Sequence, residues 1–447
     1  MKKVTLTLLA AAVLVGLALP ALAAVENVKV GGDVNFKMIY RNNFDFMTDD
    51  AVKLNPHYTY MGTRIYVKAE LSGNVEAMVR LINERDFGND YLREVEGSVL
   101  LDLGYVKVSD LLTKGLTLTV GRQEIQLGEG LVVGSRYRAL DYLGADVGTA
   151  ALDYGQQKAF DAVKVDFAPA ENLVLSAFKA KIIESYGLGT VTIPAIPPLI
   201  PTPVTLSMGD VDLWGASLNW KPEGLSVEPY FVSLNAYHND TTLMTGGIRA
   251  TWDVAGFSLK GEFAKQFGEL GPATDFKGWA GYLGAGYTFD VAAKPAISFA
   301  TNYFSGDDGT STDIKSWIPV FPANIASRVG KIAYPALFPA GEGTIISTTL
   351  GLQTTGLWST KLGLGLQPTE KLGLGLDFFY LRANEVAPGV SKTIGYEIDA
   401  SAKYMITEDL SLCGDLGYFM RGGLIKDTLG AGTKNAWQAI ASIGLAF

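Results

Sequence analysis

The sequence is poor in the residues that metal and nucleophile chemistry usually needs. A single cysteine, Cys413, excludes an internal disulfide and any cysteine-based zinc, haem or iron–sulfur site. Two histidines, His57 and His238, stand in unrelated contexts, with no Ser or Asp motif framing either. Positive charge is scarce: 37 basic residues face 46 acidic ones, a net charge of −9, which argues against a nucleic-acid partner. Beyond the N-terminus no stretch reaches the ~18 apolar residues of a spanning helix. The nearest, Val191 to Leu206, is interrupted by Pro194, Pro197, Pro198, Pro201 and Pro203, which forbid a continuous helix. Nothing points to a cofactor. Disorder is excluded too, because 48% of the residues are hydrophobic and 11% aromatic.

The N-terminus reads as a secretory signal over residues 1–23. Lys2 and Lys3 open it, Val4 to Leu19 is almost wholly apolar, and Ala21-Leu22-Ala23 is a small-x-small cleavage site. The remaining 24–447 carries 35 basic against 46 acidic residues, a charge of −11. An exported, apolar chain without further spanning helices is a secreted β protein or a barrel of the bacterial outer membrane.

Alternation favours the barrel. A strand in lipid shows an apolar outer face and a polar inner one, in segments of about ten residues. Trp437, Ala439, Ala441, Ile443, Leu445 and Phe447 share one face of the last segment. Val28, Val30, Val34, Phe36, Met38 and Tyr40 alternate with Lys29, Asp33, Asn35 and Lys37. The pattern predicts about eighteen strands, with sixteen as the alternative: 27–40, 58–71, 74–86, 96–109, 115–127, 158–168, 172–183, 210–221, 225–237, 244–254, 256–267, 276–289, 295–305, 354–367, 370–382, 394–406, 409–421 and 435–447. Short connections such as Ser72-Gly73 and Ala255 alternate with long ones such as 128–157 and 306–353, as periplasmic turns alternate with extracellular loops. The repeat Lys361-Leu-Gly-Leu-Gly-Leu366, again at Lys371 to Leu376, reads as one hairpin with leucines toward lipid. The fold class is therefore all-β, a transmembrane antiparallel up-and-down barrel with long extracellular loops.

Four stretches carry a family resemblance: Leu101-Asp-Leu-Gly-Tyr-Val106, Leu118-Thr-Val-Gly-Arg-Gln-Glu-Ile125, Leu131-Val-Val-Gly134 and Ala159-Phe-Asp-Ala-Val163. In this order they resemble the alginate-export family of outer-membrane porins, most densely over 95–165. Ser305-Gly-Asp-Asp308 is similar to a loop entry in such porins, and the terminal Phe447 resembles the assembly signal of outer-membrane barrels. The resemblance implies a monomeric eighteen-stranded porin of a Gram-negative outer membrane. Alginate exporters of the family are expected to line the pore with basic side chains; here the lumen charge is mixed.

The expected pore-lining, solute-binding residues are Arg64, Lys68, Arg80, Asp102, Arg122, Glu124, Lys164, Arg249, Lys260 and Lys361, because a cation facing mid-bilayer lipid costs about 2–4 kcal/mol. Arg122 and Glu124 share parity with Leu116, Leu118 and Val120, so a β-bulge near Val120-Gly121 is expected to turn them inward. Acids such as Glu262, Glu397, Asp399 and Asp415 are expected in the same lumen. The apolar loops 191–206 and 317–339 are expected to pack into the lumen or on other loops. The Asp307-Asp308 pair reads as a solvated turn rather than a Ca²⁺ site. The expected partners are outer-membrane lipid and a small, hydrophilic, anionic or saccharide-type solute, including oligosaccharides. The competing readings are a hydrolase barrel and a plugged adhesive barrel.

Overall fold

The computed structural model describes residues 25–44, 46, 57–71, 73–87, 99–134, 154–156, 158–184, 191–193, 204–206, 209–237, 240–323, 325–333 and 352–447. The expected signal segment, His238 and most of the proline-rich loop 191–206 lie outside them. Among the described residues the dyad pattern resolves into these strands: β1 (Val25–Asn42), β2 (His57–Leu71), β3 (Val75–Asp86), β4 (Leu100–Val108), β5 (Leu116–Glu124), β6 (Ala159–Ala170), β7 (Leu173–Ile183), β8 (Val191–Ile193), β9 (Val204–Leu206), β10 (Val211–Trp220), β11 (Leu225–Ala236), β12 (Thr241–Val254), β13 (Phe257–Leu270), β14 (Trp279–Thr288), β15 (Ala296–Phe304), β16 (Leu357–Thr369), β17 (Leu372–Ala383), β18 (Thr393–Met405), β19 (Leu410–Arg421) and β20 (Ala436–Ala446). Three short α-helices, α1 (Ile325–Val329), α2 (Leu352–Thr355) and α3 (Gly423–Leu429), and one 3-10 turn, Gly271–Ala273, accompany them.

Eighteen of these strands form one antiparallel sheet; β8 and β9 make a separate hairpin within the connection between β7 and β10. The sheet closes on itself: β1 pairs with β2 on one side and with β20 on the other, from Asp33 opposite Ala446 to Asn42 opposite Trp437. Closure leaves no unpaired edge, as a wall in hydrocarbon requires. Each of the eighteen expected segments corresponds to one barrel strand. The three-residue strands β8 and β9 were too short to leave a period in the sequence.

Outward positions are apolar. On the Leu-Gly hairpin, Leu362, Leu364, Leu366, Leu374 and Leu376 are exposed, and Gly365 sits opposite Gly375. Aromatic rings collect near the strand ends of the outer face: Tyr40 stacks on Trp437 with centroids 5.1 Å apart, and Trp279 on Tyr303 at 4.4 Å. The turn from β12 to β13 is two residues, Ala255 and Gly256, with φ of 47° and 85°, the left-handed geometry that a twisted two-residue hairpin needs.

The bulge expected at Val120-Gly121 is absent. β5 runs in unshifted register with β6 from Leu116 opposite Phe167 to Glu124 opposite Ala159. The irregularity is one strand away: opposite Arg80 and Leu81 lie Leu103 and Leu101, so Asp102 is the extra residue. Gly121 takes φ +122° instead, and a Cβ there would lie 2.2 Å from the Gly104 carbonyl oxygen, so the close approach of β4 and β5 needs a glycine at this position.

A constricted lumen as the candidate functional site

Positions that alternate with the lipid-facing ones carry charge, and most of the charges meet an opposite one. Arg64 Nε donates to Asp33 at 2.8 Å, and Lys68 reaches Glu76 at 2.8 Å. Arg80 donates from Nε to the buried Asp102 at 2.5 Å and from Nη2 to Glu124 at 2.6 Å. Lys164 pairs with Asp166 at 2.7 Å, and Lys361 lies 3.8 Å from Asp377. The β4 bulge makes the Arg80–Asp102 contact possible, because it turns the extra residue inward.

Two connections then fold into the bore. Residues 125–134 bury Ile125, Leu127, Val132 and Val133 against the inner faces of β6, β7, β10 and β11, where Phe160, Phe178, Leu213 and Val232 stand. The segment leading into α1 joins the same cluster through Trp317 and Phe321, and then enters a second one. There Val329, Ile332 and Ala333 pack on Leu357, Ile394 and Phe419. The described part of the apolar loop 317–339 thus spans from one side of the lumen to the other; 324 and 334–339 lie outside the described residues. The two connections are stitched together: Phe321 N donates to Val132 O, Gly134 N to Phe321 O and Ala323 N to Gly130 O, each at 2.8 Å.

Wall carboxylates hold these loops by their backbones. Glu228 accepts from Gly128 N at 3.2 Å, and Glu262 from Glu129 N at 2.9 Å and from the Tyr230 hydroxyl at 2.6 Å. Across the bore, the fully buried Glu397 accepts from Ile332 N at 2.7 Å and Ala333 N at 2.9 Å, while Asp399 accepts from Lys331 N at 3.1 Å. Lys331 Nζ also pairs with Asp415. A third carboxylate, Glu84, accepts from Gln156 N at 2.6 Å. Loop amides that could not reach water are satisfied in this way. Both main clamps need a glycine. A Cβ on Gly128 would lie 2.6 Å from Glu262 Oε1, and one on Gly330 would lie 2.4 Å from Glu397 Oε2; both residues have positive φ, 56° and 109°.

Between the clamps sits a basic cluster. Glu129 accepts from Arg249 Nη2 at 2.9 Å, with Lys260 Nζ at 3.9 Å. The buried Arg328 of α1 donates from Nη2 to the Glu129 carbonyl at 2.7 Å and from Nη1 to Asn302 Oδ1 at 3.2 Å, and stacks over Tyr282 with its centre 4.9 Å from the ring. This constriction brings Arg249 and Lys260 together. Arg64, Lys68, Arg80, Asp102, Glu124, Lys164 and Lys361 line the wall elsewhere.

Arg122 requires a correction. The unbroken ladder sets it directly opposite Asp161, bonded at 3.0 Å, on the same face as Val120, Val163 and Val165. Alternation alone therefore decides its side, and that side is the outer wall. Glu124, two residues on, shares that parity but lies beyond the last β4–β5 pair, Gly104 opposite Arg122, and there it is met by Arg80. The acids Glu262, Glu397 and Asp399 stand on the expected inner face, where the inward-folded loops bury them, and Glu228 and Arg328 were not among the expected functional residues. Their signal was weak: each is a charged residue at an inward position or in a loop, and only Gly128 and Gly330 hint at a close approach.

Most of the chain, 95% of it, superposes on solved barrels of low sequence identity. OccK8 (OprE) of Pseudomonas aeruginosa matches at a TM-score of 0.56 and 14% identity, covering 95% of this chain and 99% of that one. OccK5 (OpdH) of the same organism matches at 0.56 and 12%, covering 95% and 99%. OccAB1 of Acinetobacter baumannii matches at 0.55 and 12%, covering 95% and 97%. No curated protein matches this chain in sequence. The model of one family, described as alginate export, matches residues 213–438, half of the chain, from the strand that carries Leu213 to the one that carries Gln438. A lipid-facing eighteen-stranded wall with a charged, loop-narrowed bore is a porin-type barrel of the bacterial outer membrane, and the chain belongs to the alginate-export family.

Proposed function

We propose that this barrel is a passive, size- and charge-selective channel for small hydrophilic solutes, saccharides or organic anions in class, acting as a monomer and without catalysis. The observation that carries this reading is the constriction. Two inward-folded loops, joined to each other and held by carboxylates on opposite walls, narrow a bore whose other inward positions are charged. The fixed dipoles and charges of such a site select by pore width and field. The pairing of Arg64, Lys68, Arg80 and Lys164 with wall acids favours small solutes over a long polyanion, for which an unpaired basic lining would be expected. A hydrolase barrel is disfavoured because His57 stacks on Tyr40 at 3.7 Å, on the aromatic outer rim.

Purified full-length protein in planar bilayers should give discrete conductance steps. Proteoliposomes should swell faster in small sugars and organic acids than in larger oligosaccharides. Absence of both conductance and swelling would overturn the channel reading. Lipid or peptide hydrolysis by the purified protein, abolished by a single substitution in it, would replace it with the enzyme reading.

A further inference from the structure

Inward tyrosines of this wall lie down on glycines. Tyr66 of β2 stands directly opposite Gly31 of β1, and a Cβ on Gly31 would lie 2.6 Å from the Tyr66 hydroxyl oxygen and 2.7 Å from its Cζ. The phenol end therefore covers the glycine, and the ring lies along the wall instead of standing into the bore. The same device recurs at Tyr230 over Gly247 and at Tyr282 over Gly284. Those two rings are already engaged: Tyr230 is buried beneath the first loop and donates to Glu262, and Tyr282 carries the guanidinium of Arg328. Tyr66 is only half-buried, as is Tyr105 of β4, and neither belongs to the apolar clusters beneath the loops.

Tyr66 and Tyr105 share the periplasmic half of the lumen, near the strand ends at Leu71 and Val108 that lead into the turns on that side. One strand, β3, separates them, so they stand about 10 Å apart at ~4.8 Å per strand. Between them Met78 of β3 faces Lys68 on one side and Tyr105 on the other, so ring, thioether and ring form one apolar track along the inner wall. The polar edge of the track is made of neutral pairs. Lys68 reaches Glu76 at 2.8 Å, and Glu76 also accepts from the Tyr105 hydroxyl at 3.2 Å. Arg64 donates to Asp33 at 2.8 Å. These four charged side chains keep 19–29% of their surface exposed to the bore.

We infer that Tyr66 and Tyr105 form a subsite for an uncharged saccharide on its way through the barrel. A pyranose has a face of C–H bonds and a rim of hydroxyls. The C–H face lies on an aromatic ring that is itself flat on the wall, and the apolar body of such a site sets where the solute rests while a few polar groups set its orientation. Each rim hydroxyl both donates and accepts. A cation paired with a carboxylate offers both functions side by side, as Lys68–Glu76 and Arg64–Asp33 do here. An organic anion finds no uncompensated charge in the same pairs and has no C–H face to lay on the rings. The inference rests on the channel reading and narrows its solute class from saccharides or organic anions to saccharides.

Planar-bilayer recording of the full-length barrel, with maltotriose as the neutral probe and succinate as the anionic one, tests this. Maltotriose should interrupt the wild-type current in a concentration-dependent way. Its half-blocking concentration should rise about tenfold in Tyr66→Ala/Tyr105→Ala, from the loss of two stacking contacts of ordinary aromatic strength. Tyr66→Phe should keep the block, because the ring face remains. Ion selectivity should be the same in the wild type and the double alanine variant, since no charge is removed, and heat-modifiable gel migration would confirm that each variant is folded. Higher open-channel conductance with an unchanged half-blocking concentration would mean that the tyrosines only occupy space, and would overturn the inference. So would a wild type that conducts but ignores maltotriose, or succinate block that weakens in parallel with maltotriose block. Absence of any conductance would instead overturn the channel reading, and the subsite with it.

Discussion

Arg328 ties the two inward loops to each other: its Nη2 donates to the Glu129 carbonyl at 2.7 Å, while Glu129's own amide is held by Glu262 on the wall. The constriction is therefore a chain of contacts running from wall to loop to loop to wall, and each link can be cut separately.

Arg328→Leu removes the link between loops. Hydrogen bonds from a charged donor contribute about 1.5–3 kcal/mol each, but none of those lost belongs to the strand ladder. Barrel melting should be nearly unchanged, and single-channel conductance should rise and become noisier. Deletion of 318–340 should raise it further. Conductance unaltered in both variants would mean that these loops do not set the bore.

Glu397→Ala leaves the Ile332 and Ala333 amides without their acceptor. An orphaned buried group costs about 1–3 kcal/mol, which is roughly a 5- to 150-fold gain in local opening. Hydrogen exchange of 331–333 should accelerate by that factor while exchange in β18 stays slow. Gly330→Ala, whose Cβ would lie 2.4 Å from Glu397 Oε2, should produce the same local signature without touching the carboxylate.

Arg80→Ala strands Asp102, which is fully buried at the β4 bulge. Breaking a buried pair from one side costs about 3–5 kcal/mol. The loss in urea unfolding should be greater than in Arg80→Ala/Asp102→Ala, so the double-mutant cycle should be strongly non-additive. Additive losses would show that the pair contributes little.

Asp308 supplies a pH readout outside the membrane. Its carboxylate is held well below the usual range by Lys315 Nζ, and further by the Thr310 hydroxyl and amide. A depressed carboxyl stabilises its turn fully above the unfolded aspartate value of about 3.9, and the stabilisation is lost as pH falls through the lower folded value. The Thr310 amide resonance should keep its folded shift at pH 5 and lose it only in strong acid. In Asp308→Asn it should be insensitive to pH over that range.

The strands were legible because lipid enforces a period of two on every one of them, so Leu362, Leu364 and Leu366 announce their face without reference to any partner. Charge inside the barrel was legible only as residue type. Glu397 and Asp415 obey the same alternation, yet one is sealed beneath Ile332 and the other takes a lysine from the incoming loop. A loop has no period, and what it covers depends on contacts far apart in sequence. Arg122 shows the opposite case. Its parity with Val120 already gave the correct wall, and the energetic argument for moving it inward left out the carboxylate of Asp161, which pairs with it from the next strand.

The seam between β1 and β20 ties assembly to the last strand. Asp33 meets Ala446, and the Phe447 amide and carbonyl bond with Gly32, so residues from opposite ends of the chain complete the circle. Until β20 exists, β1 and β19 both present unpaired edges that invite aggregation. Insertion strand by strand during synthesis would leave such an edge in hydrocarbon. Closure therefore rests on pairing between strands far apart in sequence, which makes folding of the barrel intrinsically slow.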